Sequence, residues 1–349
     1  MCVQPGRGAA KISLLFSLRR VFLRISACFA VLCLVSGTQV PGSEEGRVLK
    51  EPFPAFYFTA HYRRWLAKEA AKPYWAHSQE ERQQLERDVR NSRPLVLNDD
   101  ILAFYGHPDS PYMGILGRYT KEELNAQLEN LGAEYDQVNG SRGVRKAFYL
   151  IYGTVQPKGK IGYISEKTLK EYLDFAQEND ILVFIDHQIG RYDPVDSLKE
   201  LLPYLEYPNV HLALDPEWRT AQPMTVIGNV TAEELNRAQE EMSRYIEENR
   251  ISGERMLVVH QFDWRMIKNR DKVETGYKQV NLVHCADGFG SPALKRNTYA
   301  YNALAANMPL KGFKLFYNFQ IPGAGYDDPL LSPEEVNSLD PRPSLVIYQ

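Results

Sequence analysis

Residues 165–188 read SEKTLKEYLDFAQENDILVFIDHQ, and the character of the chain changes in the middle of them. Ser165 to Asn179 is an amphipathic, helix-like segment with Ser165 in a capping position. Ile181 to Gln188 is a continuous apolar run that ends abruptly in Asp186, His187 and Gln188. A short apolar run without alternation is the pattern of a strand buried on both faces, as in a parallel sheet. The same unit recurs on both sides. Strand-like runs stand at 101–108, 144–153, 181–188, 210–218, 256–262, 280–288, 312–318 and 344–349. Between them lie TKEELNAQLENLGAEYD, PVDSLKELLPYLEY, TAEELNRAQEEMSRYIEENR, a DWRMIKNRDKVE segment, SPALKRNTYAYNALAAN and SPEEVNSL. Thr120 with Glu123, and Thr231 with Glu234, have the spacing of a helix-opening capping box. Strand and helix alternating over about 250 residues predict a closed (β/α)8 barrel of the TIM type. An open doubly wound sheet is the structural alternative, and it lacks its glycine-rich first turn here.

The chain has 349 residues, 44% of them hydrophobic, enough for one large barrel core. A formal net charge of -3 gives no global pull toward nucleic acid or an acidic membrane. Three regions follow: 1–37, 38–94 and 95–349. In the first, Arg19, Arg20 and Arg24 precede an apolar run from Ile25 to Val35, the layout of an export signal peptide. That run is about half the roughly 20 residues a spanning helix needs. RRVFLR resembles a twin-arginine export signal, with Leu18 where that pattern prefers Ser or Thr, so ordinary secretion stays open. ISAC, ending at Cys28, resembles a lipoprotein cleavage box, and lipidation is the one route to membrane association. The expected location is periplasm, cell envelope or medium. Residues 38–94 read as a tether and N-terminal helical extension, and 95–349 as the barrel. Of four cysteines, Cys2, Cys28 and Cys33 lie in the leader, leaving Cys285 with no partner for an internal disulfide.

In such a barrel the functional face is formed by the C-terminal strand ends. Those ends carry Tyr105 and His107; Asp186, His187 and Gln188; Asp215, Glu217 and Trp218; His260 and Gln261; His284 and Asp287; Lys314, Tyr317 and Asn318. Four of the seven histidines fall there, whereas scatter would spread polar side chains over helix surfaces and both rims. In NVHLALDPEWRT (209–220), strand alternation places Asp215 and Glu217 on one face and Leu212 and Leu214 on the other. Two carboxylates so placed split their pKa values, one ionised and one holding a proton, as glycosidic bond cleavage requires. Glu217 is the expected general acid, Asp215 its support, and Asp186 or Asp287 the second carboxylate. Substrate contacts are expected from Tyr105, His107, His187, Gln188, Trp218, His260, Gln261, His284, Lys314, Tyr317 and Asn318. Lys314 is expected to face the interior, because Phe313 and Leu315 suit the helix side. Aromatic side chains near the rim, Tyr112, Trp264, Phe289 and Tyr326 among them, suit stacking on sugar faces.

Two other readings compete. One is a metal-dependent hydrolase with His260 and His284 as ligands of a divalent ion and His107, His187, Asp186 and Asp287 as the residues that could complete the site; the carboxylate reading needs no cofactor. The other is an envelope protein that binds a glycan or other ligand without turnover. Asp-x-Glu at the end of a fourth barrel strand is similar to the motif of family 18 and family 25 glycoside hydrolases. That resemblance implies an acid/base role for Glu217 and a supporting one for Asp215. Leu212 and Leu214 stand where the chitinase motif carries further acids. Together, FYGHPDSPYMGILG, FIDHQIGRY, LALDPEWR, VVHQF, VHCADGFG and GFKLFYN resemble an uncharacterised family of exported bacterial barrel proteins often labelled lipoproteins. The resemblance implies the barrel and export, and no particular reaction.

Overall fold

The computed structural model describes Ser78, Gln79 and residues 95–349. The expected signal peptide at 1–37, and all but those two residues of the tether and extension at 38–94, lie outside the described residues.

Eight parallel strands form the frame: β1 (Asp99–Gly106), β2 (Gly143–Val155), β3 (Leu182–His187), β4 (Val210–Leu214), β5 (Arg255–Gln261), β6 (Val280–Ala286), β7 (Leu310–Leu315) and β8 (Leu345–Tyr348). Each pairs with the next, and β8 pairs with β1 through Ile101↔Leu345 to Phe104↔Tyr348. The sheet is therefore closed, and the fold is a TIM-type barrel. Closure leaves no free edge, which an open doubly wound sheet would have. One short antiparallel strand, Ile161–Tyr163, adds to β2 beyond the barrel.

Alternation along the strands creates two cores. Outward residues, including Leu102, Phe148, Leu150, Val183, Leu212, Leu214 and Leu257, pack against the helical layer through Leu124, Leu128, Leu169, Leu173, Leu235 and Met242. Inward residues Ile101, Ala103, Ala147, Phe184, Ala213, Val258, Val283, Cys285 and Ile347 fill the barrel. Because both faces are buried, the strands need apolar residues at nearly every position, which is why their sequences show little alternation. The interior is tight: a Cβ added at Gly312 would lie 3.1 Å from Cys285 Sγ.

A single helical turn, Leu95–Asn98, precedes β1, and the helices between strands are α1 (Lys121–Val138), α2 (Glu166–Glu178), α3 (Pro194–Leu201), α4 (Ala232–Glu248), α5 (Pro292–Ala303) and α6 (Pro333–Asn337). Thr120 and Thr231 form the expected capping boxes with Glu123 and Glu234, and the Ser165 side chain accepts from the Thr168 backbone. Glu234 has a second task, since its carboxylate also meets Arg219 at 2.7 Å in the loop that follows β4. Thr231→Ala should destabilise the barrel by about 1 kcal/mol, read as a melting-temperature decrease of roughly 2–4 °C.

DWRMIKNRDKVE departs from the helical expectation. Between β5 and β6 the chain makes two 3-10 turns, Trp264–Met266 and Arg270–Lys272, with Asn269 left-handed between them. Ile267–Lys268 instead pairs with Val230–Thr231. The segment is fastened to α4: Asn236 Nδ2 donates to the Lys272 carbonyl, and Gln239 Nε2 donates to the Glu274 carbonyl. Local side-chain bonds and a left-handed residue outweigh a weak helical pattern. Among the described residues, no helix is long and apolar enough to cross a membrane.

Candidate active site

The closed register fixes which strand-end residues enter the barrel mouth. Asp186 lies level with Ala213 of the interior, Val283 and Cys285 face inward on β6, and Phe313 and Leu315 face the helices. Inward parity therefore falls on Tyr105 (β1), Tyr149 (β2), Asp186 (β3), His260 (β5) and Lys314 (β7). Asp215 and Asp287 each extend their strands, β4 and β6, by one residue. Asp186, Asp215, His260, Asp287 and Lys314 are all at least nine-tenths buried.

Glu217 is presented by a short turn. Asp215 caps the 3-10 helix Pro216–Trp218, its Oδ1 accepting the Glu217 backbone N–H at 3.1 Å. The proline at the first position presets the turn. Glu217 thus stands in a turn beyond the strand end rather than in the extended strand that alternation presumed, and Asp215 fixes the backbone that carries it.

The polar contacts form a connected floor. The Tyr105 hydroxyl donates to Asp186 Oδ2 at 3.0 Å. His260 Nε2 lies 2.7 Å from the Tyr149 hydroxyl, and its Nδ1 lies 3.2 Å from Asp287 Oδ2. Lys314 Nζ stands 3.7 Å above the centre of the Tyr105 ring, a cation–π contact. Burial divides the acids. It raises Asp186 and raises Asp215 strongly, His260 opposing it in both cases while Asp287 adds to it. Burial and the neighbouring Asp287 push Glu217 up to about 7, although Lys314 and His260 draw it down. Burial would raise Asp287 as well, but His260 and Lys314 outweigh it and hold this carboxyl below its usual range. His260 mirrors that balance: burial opposes its charge, and Asp287, Asp215 and Asp186 nevertheless raise its pKa. The mouth thus combines an acid that titrates near neutrality with a carboxylate kept ionised.

Several expected substrate contacts lie elsewhere. His187 follows Asp186 and so faces the helical side, where its Nδ1 accepts from Ile189 N–H at 2.9 Å and its ring packs beside Tyr152 and Tyr163. Gln188 turns back on β2, its Oε1 accepting the Val155 N–H at 2.8 Å. His284 is level with Val259 rather than His260, so its ring faces away from the mouth; its Nε2 meets Gln261 Oε1 at 2.8 Å and its Nδ1 faces Lys311 Nζ at 3.5 Å. Gln261 is therefore part of the same outer network. His260 and His284 stand on opposite faces of the sheet, each with both ring nitrogens engaged, and do not fit a shared divalent ion. His284→Ala should lower stability by about 1–3 kcal/mol in urea unfolding and leave ligand binding at the mouth unchanged. His107 remains on the loop after β1, its Nδ1 accepting from Asp109 N–H at 3.2 Å. Tyr317 stacks on Tyr348, 5.4 Å between ring centres, against the outer core. Asn318 closes its own loop by accepting from Gln320 N–H. Trp218 sits half-buried in the turn behind Glu217.

Tyr149 and the ion pair Lys295–Asp327 were not singled out from the sequence. Tyr149 is marked only by inward parity, which pairing with β1 fixes. Lys295 on α5 and Asp327 meet at 3.3 Å, their side chains 1% and 0% exposed. Lys295 Nζ also donates to the carbonyls of Gly288 and Lys314, while Asp327 accepts from Gly290 N–H and Phe316 N–H. This pair ties the loop carrying Asp287 to the end of the strand carrying Lys314. No local pattern announces a lysine buried on a weakly amphipathic helix.

The described chain is thus a TIM-type barrel with an acid cluster at its C-terminal face. No family model and no curated protein matches it. Solved structures with a similar fold include a GH138 enzyme targeting pectin rhamnogalacturonan II (TM-score 0.40, 13% identity, 72% of this chain and 34% of that chain). They also include a family 18 chitinase from Crocus vernus (0.40, 10%, 71% and 92%). A third is a GH5-4 broad-specificity endoglucanase from Clostridium cellulovorans (0.41, 11%, 73% and 85%). The chain spans about a third of the GH138 chain. All three are glycoside hydrolases, and the likeness is one of fold.

Proposed function

We propose that this chain is an exported hydrolase that cleaves glycosidic bonds in an extracellular or envelope saccharide. The observation that carries this reading is the unequal pair at the mouth, Glu217 pushed to about 7 beside an Asp287 held ionised. Two carboxyl groups driven apart by their surroundings are what acid-assisted glycoside cleavage needs. Glu217 gives its proton to the glycosidic oxygen as the C1–O bond breaks. Asp287 faces the positive charge that develops at C1, and water completes the reaction, returning a proton to the site. Asp215 positions Glu217 through the backbone bond, and Asp186 with Tyr105 contacts the sugar. Tyr112, Trp264, Phe289 and Tyr326 are exposed aromatics on the loops after β1, β5, β6 and β7, suited to stacking on neighbouring sugar units.

The reading predicts a bell-shaped pH dependence. Activity falls on the alkaline side near pH 7, where Glu217 loses its proton, and on the acid side only below the usual carboxylate range, where Asp287 gains one. The test is a glycan screen by product chromatography, followed by kcat/KM against pH. A flat profile between pH 5 and 9 on a cleaved glycan would remove Glu217 from the acid role.

A further inference from the structure

One cation at the mouth is left without a direct partner by the mechanism. Lys314 is 4% exposed, yet among the described residues its ammonium makes no hydrogen bond and no ion pair. It stands 3.7 Å above the centre of the Tyr105 ring, with the Phe316 ring at 5.2 Å. A lysine ammonium carries three N–H donors, and one taken out of water normally finds oxygen acceptors. The backbone explains why Lys314 cannot turn elsewhere: inward parity is imposed by Phe313 and Leu315 in the outer core, and the Lys314 carbonyl is held by Lys295. The side chain is thus fixed and aimed into the mouth.

The surroundings select the charge of what it meets. The mouth around it holds Tyr105, Tyr149, Asp186, Asp215, Glu217, His260 and Asp287, and Lys314 acts electrostatically on Asp186, Glu217, Asp287 and the buried Cys285. Burial favours the neutral form of Asp186, Asp215 and Glu217, while Asp287 and His260 form a compensated contact at 3.2 Å. The Lys314 ammonium is then left at the mouth with no carboxylate of the described residues within ion-pairing distance.

We propose that Lys314 reads a carboxylate on the sugar unit lodged at the barrel mouth, so that the ligand class is an acidic saccharide. This rests on the glycosidase reading for its consequence, cleavage next to an acidic unit, but not for the binding itself. The carboxylate has two chemical sources, a hexuronic acid or a lactyl ether on an amino sugar.

The experiment is calorimetric titration of the full chain, as Glu217→Gln, with an oligogalacturonate, a muramyl oligosaccharide and a neutral galacto-oligosaccharide of matched length. Cleavage of each by the unsubstituted protein is followed in parallel. One acidic ligand should bind about tenfold or more tightly than the neutral one, with the preference shrinking as salt rises. Adding Lys314→Met should erase that preference, and adding Lys314→Arg should keep part of it, which separates loss of charge from loss of fold. The arm that binds identifies the carboxylate source. Equal affinity for acidic and neutral ligands, or a preference surviving in Lys314→Met with intact folding, would overturn the proposal. Cleavage of the neutral saccharide would then leave the glycosidase reading standing. Lys314-dependent binding of an acidic saccharide that the unsubstituted protein never cleaves would support the ligand class and remove the glycosidase reading.

Discussion

Glu217→Gln lowers turnover by about 10²- to 10⁴-fold on whichever saccharide the protein cleaves, while saccharide affinity stays within a few-fold. The amide keeps the shape of the carboxyl group and cannot release the proton. The same substitution should stabilise the fold, and the sign follows from the pKa. Glu217 is raised from 4.5 in the ordinary state to about 7 in the folded protein. Between these values the folded chain holds a proton that the unfolded chain has released, so stability declines as pH rises through that window. Below about pH 4 both states are protonated and the effect vanishes. Above pH 7 it reaches its full size, on the order of 3 kcal/mol by the shift alone. The melting temperature of Glu217→Gln should therefore exceed that of the unsubstituted protein at pH 8 and converge with it near pH 4. Equal melting temperatures at pH 8 would show that Glu217 is not desolvated as the turn after β4 places it.

Lys295→Met should be the most destabilising single change near the mouth, by about 3–5 kcal/mol, because it leaves Asp327 charged and buried. Four backbone tethers are weakened together: the Gly288 carbonyl, the Lys314 carbonyl and, through Asp327, the N–H groups of Gly290 and Phe316. Chemical denaturation measures the loss directly. Replacing both partners with apolar residues, Lys295→Met with Asp327→Leu, should recover part of it, since no charge then remains uncompensated. A loss below about 1 kcal/mol for Lys295→Met would mean that water replaces the lysine without strain.

The barrel was legible because strand-like and helical segments alternate with regular spacing, and this survives ignorance of every register. The inward positions were legible only in part. Asp215 and Lys314 could be oriented because large aliphatic or aromatic neighbours, Leu212 and Leu214 or Phe313 and Leu315, mark the helix-facing side. Around Asp186–His187, His260–Gln261 and His284–Cys285 both faces are buried, so hydropathy does not distinguish inside from outside. Pairing to neighbouring strands decides, and it turns His187, Gln261 and His284 toward the helices. The Lys295–Asp327 pair was hidden for a different reason: its partners are far apart in sequence, and nothing local to either signals burial.

Cys285 gives this architecture a clock. Its sulfur lies in the barrel interior against Gly312, with the residue 0% exposed, and it is the one free cysteine among the described residues. A thiol-reactive reagent can reach it only when neighbouring strands part. Peptide mapping of labelled Cys285 over time then times the separation of β6 from β7. A labelling rate proportional to reagent concentration reports how often the opened form is populated; a rate that saturates reports how fast the strands separate.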